Sequence, residues 1–162
     1  MRRALLGAFA LVALWFVWGT IRDALRTDDE RIVVLLQAEV DAFNEASLVS
    51  SLRSFSDDYR DDSGGFDRSM LLRALLYAYQ NRRDTDGQFR HRCAIDFDAL
   101  ELDVASEDGK AEARFPLTLY ATRDIDAAVD WMVDVTATFE ARDGTWRIVR
   151  SRHQTKRGKR PW

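Results

Sequence analysis

The chain has 162 residues and a net charge of −3 from 27 acidic and 24 basic side chains, which is one domain with appendages. That charge is divided: +3 over the first 26 residues, −12 over residues 27–149 and +6 from Arg150 onward. The acidic body excludes a nucleic-acid-binding face there, and the single cysteine, Cys93, excludes an internal disulfide and fits no zinc pattern.

Residues 4–21 are uncharged and mostly apolar, with Leu5, Phe9, Leu11, Leu14, Trp15, Phe16 and Trp18 among them. Eighteen helical residues span roughly 27 Å, just enough for a bilayer core. Trp15 and Trp18 lie where interfacial aromatics belong. Arg2 and Arg3 precede the run, as in a secretory signal. The residues that follow are bulky, however, with no small-x-small cleavage pattern. We therefore expect an uncleaved single-pass anchor, with the short basic N-terminus in the cytoplasm and the rest exported. In a Gram-negative cell this is an inner-membrane protein with a periplasmic domain.

Thr27-Asp28-Asp29-Glu30 is a capping box. Ile32, Val33, Leu36, Val40 and Phe43 follow at helical spacing, and Leu48, Val49, Leu52 and Phe55 continue the pattern after a break near Asn44. Residues 56–65 are rich in carboxylates and end in Gly64-Gly65, which reads as a polar turn. Asp67 caps a further helix, with Phe66 and Leu71 set as a hydrophobic staple and Leu71, Leu72, Leu75, Leu76 and Tyr79 as its apolar stripe. The aspartates of this region match no calcium-loop register.

From Phe89 the period changes to two. Phe89, His91, Cys93, Ile95 and Phe97 alternate, and Leu100, Leu102 and Val104 resume with the phase shifted by one, which predicts a bulge at Asp98–Ala99. Ala111 to Leu119 and Trp131 to Phe139 alternate in the same way, and Trp146 to His153 closes the series. Asp143-Gly144 is a strong hairpin signal. Such a pattern belongs to an antiparallel sheet with one buried face. Residues 156–162 form a basic tail without periodicity. The expected organisation is an anchor and juxtamembrane segment over 1–26, an α+β domain over 27–155 and the tail.

This order of elements, closing in Asp143-Gly144-Thr145-Trp146-Arg147-Ile148, resembles the nuclear transport factor 2-like superfamily over roughly residues 28–154. That group includes ketosteroid isomerases, scytalone dehydratases and SnoaL-type polyketide cyclases. Ser56-Asp57-Asp58-Tyr59 is similar to the family's usual end of the first helical unit. The resemblance implies a cone of two or three helices packed on a strongly bent antiparallel sheet, with a ligand pocket at the open end. It also implies a sheet face on which a second copy can pair. Anchored members exist in type IV secretion and lipid-import assemblies, so a membrane-complex partner is a further expectation.

Within such a cone, Tyr59, Tyr79, His91, Cys93 and Trp131 are the candidate pocket-lining residues. His91 and Cys93 share one side of a strand, but no charged partner accompanies them, so a core role outweighs a nucleophile pair or a metal site. The strand carboxylates Asp96, Asp98, Asp134 and Glu140 fall on the polar register. Ser151 and His153 share a face of the last strand. Lys156, Arg157, Lys159 and Arg160 are candidates for contact with anionic lipid or an acidic partner. With no inward carboxylate or His–Asp pair in view, the sequence favours a binding or scaffold domain without cofactor, metal or catalysis. The alternative is a tethered isomerase, dehydratase or cyclase acting on a small apolar molecule.

Overall fold

The computed structural model describes residues 26–122 and 129–159. The expected anchor at residues 4–21, Arg160 and most of the connection between the fourth and fifth strands lie outside them. Among the described residues no helix is long and apolar enough to cross a membrane.

Helix α1 spans Asp28–Asn44 and starts where the capping box predicts. The Glu30 amide donates to Thr27 Oγ1 at 3.4 Å and the Thr27 amide to Glu30 Oε2 at 3.2 Å. A 3-10 turn at Ser50–Leu52 follows, so the second apolar run is not a continued helix, and Val49 is exposed. Strand β1 then runs Phe55–Asp61. This corrects the reading of a polar turn over 56–65. Only Ser56, Tyr59 and Asp61 of the strand are buried, an irregular pattern that masks its period of two. Helix α2 spans Arg68–Asn81, its first turn capped by Asp67, whose carboxylate accepts from the Met70 amide at 2.8 Å. Among the described residues the α-helices are therefore two.

The remaining strands are β2 (Arg92–Ile95), β3 (Glu101–Ala105), β4 (Lys110–Tyr120), β5 (Val129–Arg142) and β6 (Thr145–Gly158). Their order across the sheet is β1-β6-β5-β4-β2, with β3 also on β4. β2 and β3 occupy successive stretches of the same β4 edge, Leu117–Tyr120 and Lys110–Arg114. Between them the chain makes a 3-10 turn at Phe97–Ala99, the physical form of the expected phase shift. Pro116, which has no N–H to give, sits at this interruption and accepts from the Asp96 amide. Bulges between Met132 and Val133 and between Thr138 and Phe139 add curvature to β5–β6. The sheet is mixed, because β1 pairs with β6 in parallel. Asp143 and Gly144 both take positive φ, 52° and 72°, as a two-residue hairpin of right-handed twist requires. β6 continues through Lys156 and Arg157 to Gly158, so the strand reaches further than the boundary expected at residue 155.

The inner face buries Ala111, Ala113 and Phe115 of β4 with Ala137 and Phe139 of β5, under Ile32 and Leu36 of α1. Small alanines let the helix approach the strands, and Phe139 and Ile32 fill the space fully. A second cluster joins α2, through Leu75, Ala78 and Tyr79, to Phe89 and Leu52. Phe43 meets Tyr79 and Phe89 there, edge-on to Phe89 at 5.3 Å. Leu72 and Leu76, expected on the buried stripe, are 38% and 40% exposed. Phe89 and His91 precede β2; Phe89 packs edge-on against Tyr79 of α2 at 4.9 Å, and the His91 ring lies 5.7 Å from that of Phe89.

A cavity with an acid at one end and an Asp–His contact at the other

Along the apolar register of β4 and β5, Leu117 and Val135 remain half-buried while their neighbours are covered. Among the described residues no side chain fills the space above them. They face a cavity of about 280 Å³ between the sheet and both helices, walled by Phe43, Phe55, Tyr59, Phe115 and Trp131. An adjoining cavity of about 190 Å³ shares seven lining residues with it, Tyr59, Leu117, Trp131 and Ser151 among them, and is bordered further by Asp61 and His153. The first volume lies near the lower limit of small-molecule pockets.

Asp61 ends β1 and is buried. Its Oδ2 accepts from the Gly64 amide at 2.8 Å and its own amide donates to the Phe66 carbonyl at 2.7 Å, so the turn after β1 grips both ends of the residue. Gly64 is required for this: a Cβ would lie 2.7 Å from the Phe66 ring and 3.0 Å from Asp61 Oδ2. Parallel pairing then sets Asp61 opposite Ser151 and brings its Oδ1 within 3.6 Å of His153 Nδ1, an ion pair whenever the imidazole is protonated. The ring is held on another side by Trp131, edge-on at 5.5 Å. Ser63 Oγ accepts from the His153 amide at 2.7 Å and donates to its carbonyl at 3.0 Å, so the backbone there is clamped as well. The Tyr59 hydroxyl and Ser151 Oγ are 2.6 Å apart. Burial pushes the Tyr59 phenol up to about 12, so it keeps its proton. A carboxylate 3.6 Å from an imidazole, beside a protonated phenol and a serine, brings together group types used for proton transfer next to a polarised oxygen.

Glu39 lines the far part of the larger cavity. Burial raises its carboxyl from 4.5 to about 7, against the opposing pull of side-chain and backbone hydrogen bonds from Ser54. Beside it Cys93 is pushed up to about 12, by burial first and by the Glu39 charge second. Asn44 fixes the Cys93 backbone, accepting from its amide at 2.8 Å and donating to its carbonyl at 3.0 Å.

Tyr59, Cys93 and Trp131 thus border this space. Tyr79 and His91 border neither cavity. Tyr79 spends its hydroxyl on Ser51 Oγ at 2.8 Å, and His91 is 1% exposed with its pKa lowered by burial. Lys156 pairs with Asp134 at 2.7 Å, while Arg157 and Lys159 are exposed. Among the described residues no three metal-ligating side chains converge. Two acids were missed in the sequence. Asp61 was hidden in an apparent turn. Glu39, three residues after Leu36 and one before Val40, did lie on the apolar stripe of α1, and that was the signal for it.

No family model matches the sequence, and no curated protein matches it. Solved structures do. A protein of Novosphingobium aromaticivorans described as nuclear transport factor 2-like with a cystatin-like fold aligns with a TM-score of 0.64 at 17% identity, over 86% of this chain and 89% of that one. The fold is the nuclear transport factor 2-like cone. A cystatin-like protein of unknown function from Nostoc punctiforme gives 0.63 at 12% identity, over 80% and 91%. A Novosphingobium aromaticivorans protein described as a candidate scytalone dehydratase gives 0.63 at 15%, over 80% and 85%. In this nuclear transport factor 2-like cone, the carboxylate-rich stretch after α1 is the sheet's parallel edge strand, and its last residue faces the interior.

Proposed function

We propose that the domain is an acid–base enzyme of the isomerase, dehydratase or cyclase kind, acting on a small, largely apolar molecule. The observation that carries this reading is the 3.6 Å contact between Asp61 and His153 at the border of an apolar cavity, with the paired Tyr59 and Ser151 hydroxyls alongside. His153 is the group that takes or returns a proton, Asp61 orients it and stabilises its charged form, and Tyr59 donates to oxygen as negative charge develops there. The structural likeness to a candidate scytalone dehydratase supports the same class of chemistry. The apolar run at residues 4–21 supports tethering this site to the inner membrane with the domain exported.

The test is proton exchange. In deuterated buffer, the full chain should speed exchange at the carbon next to the carbonyl of small cyclic ketones, followed by NMR. The gain should fall on the order of 10²-fold or more in His153→Gln. Probe binding without exchange above buffer would sink the reading and leave a ligand-binding domain. The tether is tested by alkaline phosphatase fused after Trp162: soluble activity would mean cleavage, and inactive fusion the opposite orientation.

A separate observation supports self-association. The outer sheet face carries a broad depression lined by Glu101, Arg114, Asp134, Thr136, Arg152 and Gln154. Its mixed signs suit a second copy related by a two-fold axis.

A further inference from the structure

The charge inside the larger cavity has one sign. Glu39 is the one charged side chain among the described residues that line it, and no lysine or arginine joins it there. On the facing elements Arg68, Arg92 and Arg147 are each committed to a backbone carbonyl, of Leu52, Asn44 and Arg53 respectively. The other titratable groups around Glu39 are Tyr59 on β1, Tyr79 on α2 and Cys93 on β2, all kept protonated up to about 12. His153 borders the adjoining space and the outer depression, not this cavity. Ser54 satisfies part of the Glu39 carboxylate, which has about four acceptor positions, so capacity is left for an incoming donor.

The walls suit a cation for a second reason. Phe43, Phe55, Tyr59, Phe115 and Trp131 line the cavity, and aromatic faces attract an ammonium, more strongly as water is excluded. Burial holds the Cys93 thiol neutral, and the Glu39 charge adds to this against a smaller opposing pull from Arg92. An anion would meet repulsion from the Glu39 charge. The body of the domain, at −12 over residues 27–149, steers cations toward the cone from outside.

We infer that the cavity recognises an apolar organic cation, a hydrocarbon skeleton bearing an ammonium group that seats against Glu39 within the aromatic walls. This rests on the cavity of the proposed activity but not on its proton chemistry. It deepens that reading by naming the substrate class: one end of the molecule is an amine, and the end bearing the exchangeable proton lies toward Asp61 and His153.

Three probes of one shape decide it: cyclohexylammonium, cyclohexanol and cyclohexanecarboxylate, titrated into the full chain in an uncharged detergent with micelles alone as the blank. At pH 8 the ammonium should bind about tenfold or more tightly than the alcohol, a difference of roughly 1.4 kcal/mol, and the carboxylate should bind least. The ammonium's advantage should shrink as pH falls to 5, where Glu39 is protonated, and should vanish at every pH in Glu39→Gln. Equal binding of alcohol and ammonium at pH 8, or an advantage that survives Glu39→Gln, overturns the inference, and so does failure of all three probes to bind. A chain that selects the ammonium but shows no proton exchange retains the inference while the proposed activity fails. Exchange without ammonium selectivity does the reverse.

Discussion

Trp146, at the start of the last strand, donates its indole N–H to the Asp28 carboxylate at the first turn of α1, 3.0 Å away and 118 positions earlier. The bond closes the cone by tying the end of the sheet to the beginning of the helix that covers it. The partners of Trp146 are Asp28 and the α1 cluster around Ile32.

Trp146 is 5% exposed, so Trp146→Ala should cost about 3–5 kcal/mol in urea unfolding. Trp146→Phe keeps most of the volume and should lose nearer 1–2 kcal/mol, the bond to a charged acceptor. That bond is the first cause holding the Asp28 carboxyl below its ordinary value. A depressed acid lends stability above its unfolded pKa of 3.8 and loses it as pH falls through the folded value. The phenylalanine variant should therefore differ from the parent less at pH 2 than at pH 7.

Glu39 gives the opposite slope. Its folded pKa of about 7 exceeds the ordinary 4.5, so between these values the native state holds a proton that the unfolded chain has released. Stability should fall as pH rises from 4.5 to 7, by on the order of 2–3 kcal/mol, and then level off. Glu39→Gln should remove that slope and raise the melting temperature at pH 8. A parent protein whose stability is flat across this interval would place the carboxyl in water.

Gly64→Ala should destabilise the fold by roughly 1–3 kcal/mol, since a Cβ cannot fit between the Phe66 ring and Asp61 Oδ2 without moving one of them. Because that amide holds Asp61 toward His153, the His153 ring resonances should shift in the same variant. Unchanged resonances would show that the turn does not position the pair.

Cys93 should alkylate slowly throughout pH 6 to 9, its rate rising with pH only as the small thiolate fraction grows, because its thiol is pushed up to about 12. Labelling should accelerate on unfolding. Fast reaction at pH 6 would reveal an activated thiol, and its loss in His91→Ala would identify the activator.

The sequence by itself determined the elements whose signals are local. A capping box needs only Thr27 and Glu30, three positions apart. Asp67 needs only the first turn it caps, and Asp143-Gly144 only the two positive φ values of a tight hairpin. The inward register of β4 and β5 was legible because one-sided burial repeats every second residue over long strands. Tertiary structure alone decided β1 and the site. Phe55–Asp61 is an edge strand with polar residues at most positions, and its pairing is parallel to a strand about 90 residues away, so no local periodicity marks it. The meeting of Asp61 with His153 follows from that pairing. The cavity follows from what fails to cover Leu117 and Val135, since an apolar residue reads the same in sequence whether a side chain or a ligand is to fill the space above it.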